Sequence, residues 1–281
     1  MKTWFITGAS RGFGARIAEL ALEGGDCVVA TARNTAAVVE RLGEHEQLVA
    51  VPLDVTNEDQ ANQAVALAIK AFGQVDVLLN NAGYGLLGAV EEASGEELEK
   101  LFRTNVFGLH TVTKAVLPHM RAKRSGRIIN ISSIGGYRSA PGFGVYCSTK
   151  FAVEGLSEAL YYELAPLGVH VTVVEPGYFR TDFLDASSLT VSSMVIEDYS
   201  ETSGAVRAHA RSLNHNQPGD PEKFARTIVD LASWKEPPIR LPLGSDTVAA
   251  IEAKHSADAD ILANLRHVSL STDFEQEALS A

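Results

Sequence analysis

The chain has 281 residues, 46% of them apolar, which is ample for one large α/β domain or two small ones. Its 24 basic residues face 35 acidic ones, a net charge of -11 that opposes binding to nucleic acid or to an anionic membrane surface. No apolar run is long enough to cross a bilayer, Met1-Lys2 passes straight into the first apolar run without room for a cleavable signal, and the two cysteines make no disulfide framework, so a cytoplasmic protein is expected.

In chain order, runs rich in Val, Ile and Leu fall at 3–6, 27–32, 48–53, 75–80, 127–132 and 170–175, with helical patterns between them. They are apolar without clean alternation, as parallel strands buried on both faces are. The expectation is an α/β chain of Rossmann type, a doubly wound parallel sheet with helices on both faces, forming a single domain over 1–281. Residues 182–219 break the rhythm with Ser187-Ser188 and Ser192-Ser193. An excursion past the C-terminal end of a strand lies where open α/β sheets bind ligands, which makes it a candidate substrate lid. A helix from Pro221 through Trp234, a short strand Ile239 to Leu243 and one or two closing helices follow.

Two signatures carry chemistry. After the first strand comes Thr7-Gly8-Ala9-Ser10-Arg11-Gly12-Phe13-Gly14, then apolar residues at helical spacing. Glycines let a backbone turn tightly and approach a pyrophosphate, and the free N–H groups at a helix start attract the anion. Tyr146 and Lys150, four residues apart, share a helix face thirteen residues beyond Ser133. An ammonium at roughly 4 Å and an effective dielectric near 20 is worth about 4 kcal/mol, enough to draw a phenol toward neutrality, where a general acid/base works best.

With Asn80-Asn81-Ala82-Gly83 and Pro176-Gly177, these motifs match in order and spacing those of the short-chain dehydrogenase/reductase family, and the resemblance covers roughly residues 3 to 182. It implies an oxidoreductase in which Tyr146 gives a proton to a substrate carbonyl or takes it from an alcohol. Ser133 would bond the same oxygen. Lys150 would support Tyr146 and bond the nicotinamide ribose, and Asn105 would hold a water in a relay toward Lys150. The cofactor would lie along Gly8, Ser10, Arg11, Gly12, Phe13 and Gly14, meet Asp54 at its adenine and Asn81, Ala82 and Gly83 along its adenosine side. Pro176, Gly177 and Thr181 would hold the nicotinamide. Where folds selective for NAD carry an acid at the end of the second strand, this chain has Ala32 followed by Arg33, and with Arg11 that pattern points to NADP(H).

The substrate is expected to be a small hydrophobic ketone, aldehyde or alcohol, because the residues beside the motifs are apolar or aromatic. Tyr84, Leu86 and Leu87 follow Gly83; Gly135, Tyr137 and Phe143 lie between Ser133 and Tyr146; Tyr178, Phe183 and Leu184 follow Gly177. Two other classes fit the same motifs: a cofactor-sensing regulatory protein without turnover, and an epimerase or dehydratase that retains its cofactor. No metal is expected, since the eight histidines include no metal-type pair, and Cys147 has no base partner. Tetrameric relatives end in a glycine-rich tail where this chain has helical sequence, so a homodimer through the helices of Asn105 and Tyr146 is expected instead.

Overall fold

The computed structural model describes residues 1–274; the last seven residues of the expected single domain lie outside the described ones. The elements in chain order are β1 (Thr3–Thr7), α1 (Gly12–Glu23), β2 (Cys27–Ala32), α2 (Thr35–Leu42), β3 (Leu48–Pro52), α3 (Glu58–Phe72), β4 (Val77–Asn80) and β5 (Gly85–Leu87). Then come α4 (Gly95–Phe102), α5 (Leu109–Lys123), β6 (Gly126–Ile131), α6 (Gly144–Leu164), β7 (Val169–Pro176), β8 (Leu189–Val191), α7 (Ala205–Leu213), α8 (Pro221–Leu231), β9 (Arg240–Leu243) and α9 (Ser245–Leu270).

Seven strands form one parallel sheet in the order β3-β2-β1-β4-β6-β7-β9. Alternation along each strand feeds two cores. Trp4 and Ile6 of β1 pack with Ile17 and Leu20 of α1 and with Phe224 and Ile228 of α8. Phe5, between them, points the other way and joins Val65 of α3, Val112 and Val116 of α5 and Leu164 of α6. Strands buried on both faces read as unbroken apolar runs, which is why the inner strands are legible; the edge strand β9, half-buried throughout, coincides with the short strand expected at Ile239 to Leu243.

The strand order reverses direction at β1, between β2 and β4, and opens a crevice beyond the C-terminal ends of β1 and β4. The glycine loop and Asn81 sit at that opening. Residues 182–219 are ordered rather than slack. Leu189–Val191 pairs in parallel with Gly85–Leu87 as a second, two-stranded sheet, with Gly85 N–H donating to Ser188 O at 2.8 Å. A buried carboxylate fastens the same segment: Glu92 accepts from Ile196 N–H at 2.9 Å and from Ala89 N–H at 2.6 Å, and Arg207 of α7 donates to it. Three-residue strands lack the length to show in sequence. One closing helix, α9, ends the described chain; its first turns pack on β9 and on the 3-10 turn Ile134–Gly136, while Ile261, Leu262 and Leu265 stand exposed.

Candidate active site

The glycine loop owes its shape to backbone conformation and close approach. Gly8 and Gly12 hold φ of +68° and +57°, the left-handed region that a side chain resists. A side chain at Gly14 would collide with Gly8 O and the Asn81 amide, so Gly14 lets α1 start tight against β1 and does not itself line the crevice. Arg11, at the N-cap of α1, gives the first helical N–H groups no side-chain partner. Those groups are left for an anion.

Asn81 and Thr7 lock this loop. Asn81 Nδ2 donates to Thr7 O and Gly8 O, each at 3.0 Å, and Thr7 Oγ1 accepts from the N–H groups of Asn81 at 2.9 Å and Ala82 at 3.0 Å. The motif alone does not show this role of Thr7; its signal in the sequence is a hydroxyl at the end of a buried strand, beside a glycine turn. Beside the glycine loop β2 stops at Ala32, Arg33 is exposed at the rim, and Asp54 Oδ1 accepts from Thr56 N–H at 2.9 Å and Thr56 Oγ1 at 2.7 Å. Arg11 Nη2 donates to Ser187 O at 2.5 Å, tying the loop to the excursion.

At the other end, Ser133, Tyr146 and Lys150 face one space. Ser133 follows β6 and its Oγ accepts from Gly135 N–H at 3.0 Å. Tyr146 and Lys150 lie one turn apart near the start of α6, both buried, with Lys150 Nζ 5.7 Å from the Tyr146 ring centroid and donating to Ile131 O at 2.9 Å. The ammonium was expected to draw the Tyr146 phenol toward neutrality. Here burial dominates and pushes that phenol up, with the Ser133 hydroxyl pulling the other way. Burial likewise lowers Lys150, to about 8, against the opposing charge of Glu154.

Asn105 lies outside the lining of the crevice, in a π-helical turn, Arg103–Gly108, between α4 and α5. Such turns widen a helix and recur at functional sites. Its side chain bonds Tyr84 N–H at 3.1 Å, Tyr84 O at 2.9 Å and Thr149 Oγ1 at 3.2 Å. Because Gly83 carries no side chain, Asn105 Oδ1 and Lys150 Nζ face the same gap, 3.1 and 3.9 Å from where a Cβ would stand.

One crevice of about 960 Å³ runs from the glycine loop to Thr181. It is lined by Gly8, Ser10, Arg11, Gly12, Phe13, Arg33, Asp54, Asn81, Ala82 and Gly83 at one end, and by Ser133, Tyr146, Lys150, Pro176, Gly177 and Thr181 at the other. Of the expected substrate neighbours, Tyr84, Gly135, Phe143, Tyr178, Phe183 and Leu184 also line it. Leu86 and Leu87 do not; both are buried in a third core with Leu101 and Leu189, because β5 pairs with β8. Tyr137 turns away as well, its hydroxyl bonded to His255 of α9. Sequence reasoning missed Arg138, between β6 and α6, and the buried Gln217, near the end of the excursion, both of which join the lining. Among the described residues no three His, Cys, Asp or Glu side chains are grouped to hold a metal ion, and no helix is long and apolar enough to cross a membrane.

The family model described as short chain dehydrogenase matches residues 2–191. The chain belongs to the short-chain dehydrogenase/reductase family, and it is an oxidoreductase of the CH–OH/C=O class that binds a nicotinamide dinucleotide. Oxidoreductase BOA17 of Botryotinia fuckeliana is 42% identical over 88% of this chain and 90% of its own, and 3-ketodihydrosphingosine reductase of Bacteroides thetaiotaomicron is 41% identical over 85% and 86%. A short-chain dehydrogenase from Streptomyces avermitilis superposes with a TM-score of 0.90 at 40% identity, over 97% of this chain and all of that one. Two further structures were solved with cofactor. One, from Burkholderia phymatum, holds NAD (TM-score 0.80, 25% identity, 92% and 94% covered), and ElxO holds NADP (TM-score 0.73, 29% identity, 88% and 99% covered).

Proposed function

We propose that the enzyme is an NADP(H)-dependent carbonyl reductase or secondary-alcohol dehydrogenase for a hydrophobic ketone, aldehyde or alcohol, with Tyr146 as its general acid/base. The observation that carries this reading is the placing of Ser133, Tyr146 and Lys150 along one crevice with the glycine loop. The crevice fits the dinucleotide: positive φ at Gly8 and Gly12 and the uncapped start of α1 suit its pyrophosphate, and Asp54, Asn81, Ala82 and Gly83 would flank the adenosine. Pro176, Gly177 and Thr181 would hold the nicotinamide end. When bound, that ring supplies or accepts the hydride.

The chain's own part is proton placement and exclusion of water. Burial keeps the Tyr146 phenol protonated at neutral pH, ready to give its proton to a carbonyl oxygen. Ser133 Oγ steadies the same oxygen. Lys150, still mostly an ammonium at pH 7, stabilises the phenolate left behind. A water in the gap at Gly83, between Asn105 Oδ1 and Lys150 Nζ, returns the proton from solvent. Phe143, Phe183 and Leu184 give the substrate end an apolar wall, and one relative is a ketone reductase by name. Tyr146→Phe is expected to cut turnover by about 10²-fold or more with cofactor affinity nearly unchanged. Substantial residual activity in a steady-state assay would defeat the role.

NADP(H) is favoured by Arg11 and Arg33 with no carboxylate at Ala32. Arg33→Ala should therefore lower efficiency with NADP far more than with NAD. Equal losses with the two cofactors argue for an unselective site. A homodimer across α5 and α6 fits the exposure of Phe107 and Phe151, and light scattering tests it. A cytoplasmic place, with no nucleic acid or membrane partner, agrees with the net charge of -11.

A further inference from the structure

One turn beyond Lys150 on α6, Glu154 is buried, and its carboxylate meets a second buried carboxylate, that of Glu175 on β7, immediately before Pro176-Gly177. One guanidinium serves both. Arg240 Nε of β9 lies 3.2 Å from Glu154 Oε2 and 3.5 Å from Glu175 Oε1, while its Nη2 turns to Glu158 at 2.9 Å. Glu154 Oε1, Glu175 Oε1 and the neighbouring Ser132 Oγ are buried with no well-formed hydrogen bond.

Packed around the pair are Lys150 and Glu158 on α6, Arg240 on β9 and Ser132 at the end of β6, with Gly136 closing against Ser132 and Glu154. Lys150 itself faces Tyr146, Asn105 and the Ile131 carbonyl besides Glu154. Three carboxylates thus stand against two cations, and only Glu158 and Arg240 reach water, while Glu154, Glu175 and Lys150 are buried. Leaving two adjacent carboxylates ionised out of water is costly. A single proton between them converts one into a donor, gives an orphaned oxygen a partner and balances the local charge.

We propose that Glu154 and Glu175 share one proton behind the catalytic helix, and that the pair is a positioning device for Lys150, holding its ammonium charged and so setting the upper pH at which the site works. Burial first, and Glu154 second, push Glu175 up to about 7; burial raises Glu154 as well, against the Ser132 hydroxyl and Arg240. As pH rises past neutrality the pair sheds its proton. A second negative charge then arrives just where burial begins to strip Lys150 of its own. The effect on the reaction rests on the proposed part of Lys150, whereas the shared proton does not.

Infrared titration of the full chain tests the proton directly. The wild type should show the C=O band of a protonated carboxyl group that disappears with a midpoint near 7, and Glu154→Gln and Glu175→Gln should each lack it. NADPH binding, followed by nucleotide fluorescence from acid to alkaline pH, tests the positioning without any turnover. The pH at which affinity falls should move down by about half a unit or more in Glu154→Gln, and by less in Glu175→Gln. Absence of the band in the wild type overturns the shared proton. Binding curves of both variants that superimpose on the wild type overturn the positioning, because a merely structural role would alter melting and leave the pH profile in place. If Glu154→Gln does not fold, Glu175→Gln, which leaves α6 untouched, carries both measurements. An enzyme that passes both and reduces no carbonyl compound refutes the proposed function alone.

Discussion

Two buried ionic clusters flank the crevice, and they are built to opposite rules. At the excursion, one carboxylate, Glu92, receives one guanidinium and two backbone N–H groups. Burial alone would raise it, but Arg207 and the N–H groups of Ile196 and Ala89 outweigh that and hold it down at about 2. Behind the catalytic helix, two carboxylates divide the Nε of one guanidinium and keep orphaned oxygens, and Glu175 goes up to about 7. Two carboxylates alike in being closed to solvent therefore protonate oppositely. Donors hold Glu92 down, whereas desolvation and the neighbouring carboxylate of Glu154 raise Glu175 against the one guanidinium.

Arg207→Met against Arg240→Met is the hardest test of that contrast. Removing Arg207 strands an ionised Glu92 and should cost about 3–5 kcal/mol at pH 6, whereas at Arg240 the carboxylates can take up protons and the loss should be about 1–3 kcal/mol. Equal losses in urea denaturation would break the comparison. Glu92→Gln comes next. Because the folded carboxylate sits below its ordinary value of 4.5, its contribution is present above 4.5 and is lost as pH falls toward 2. The variant should lose roughly 2–4 kcal/mol at pH 7 and show a flatter acid limb. Glu175→Gln is the smallest effect and runs the other way. A carboxyl raised to about 7 gives stability that is complete below 4.5 and erodes as pH climbs through 7, so the variant should match the wild type near pH 5 and gain about 1–3 kcal/mol at pH 8. A less stable variant at pH 8 would make the two clusters alike.

The sequence disclosed the sheet and the crevice for physical reasons that did not extend to these clusters. Strands buried on both faces must be apolar throughout, and a glycine turn needs its glycines, so both leave marks in one dimension. Leu86 and Leu87 misled because an apolar residue beside a motif can serve a pocket or a core, and the pairing of β5 with β8 sent them to the core. Glu92 stands in the stretch Glu91-Glu92-Ala93-Ser94-Gly95-Glu96-Glu97, whose charge reads as a solvated helix face; only its distant partner Arg207 marks it as buried. A clue to Glu175 was present, since an ionisable residue stands between the apolar pair Val173-Val174 and Pro176 in a buried strand. Glu154, four residues after Lys150, shared its helix face all along.

The mutual bonds of Thr7, Gly8 and Asn81 have a kinetic corollary. A receptacle whose polypeptide is fixed before its guest arrives loses little further freedom on capture, so encounter by diffusion, and not rearrangement of this turn, should govern how fast the nucleotide is taken up.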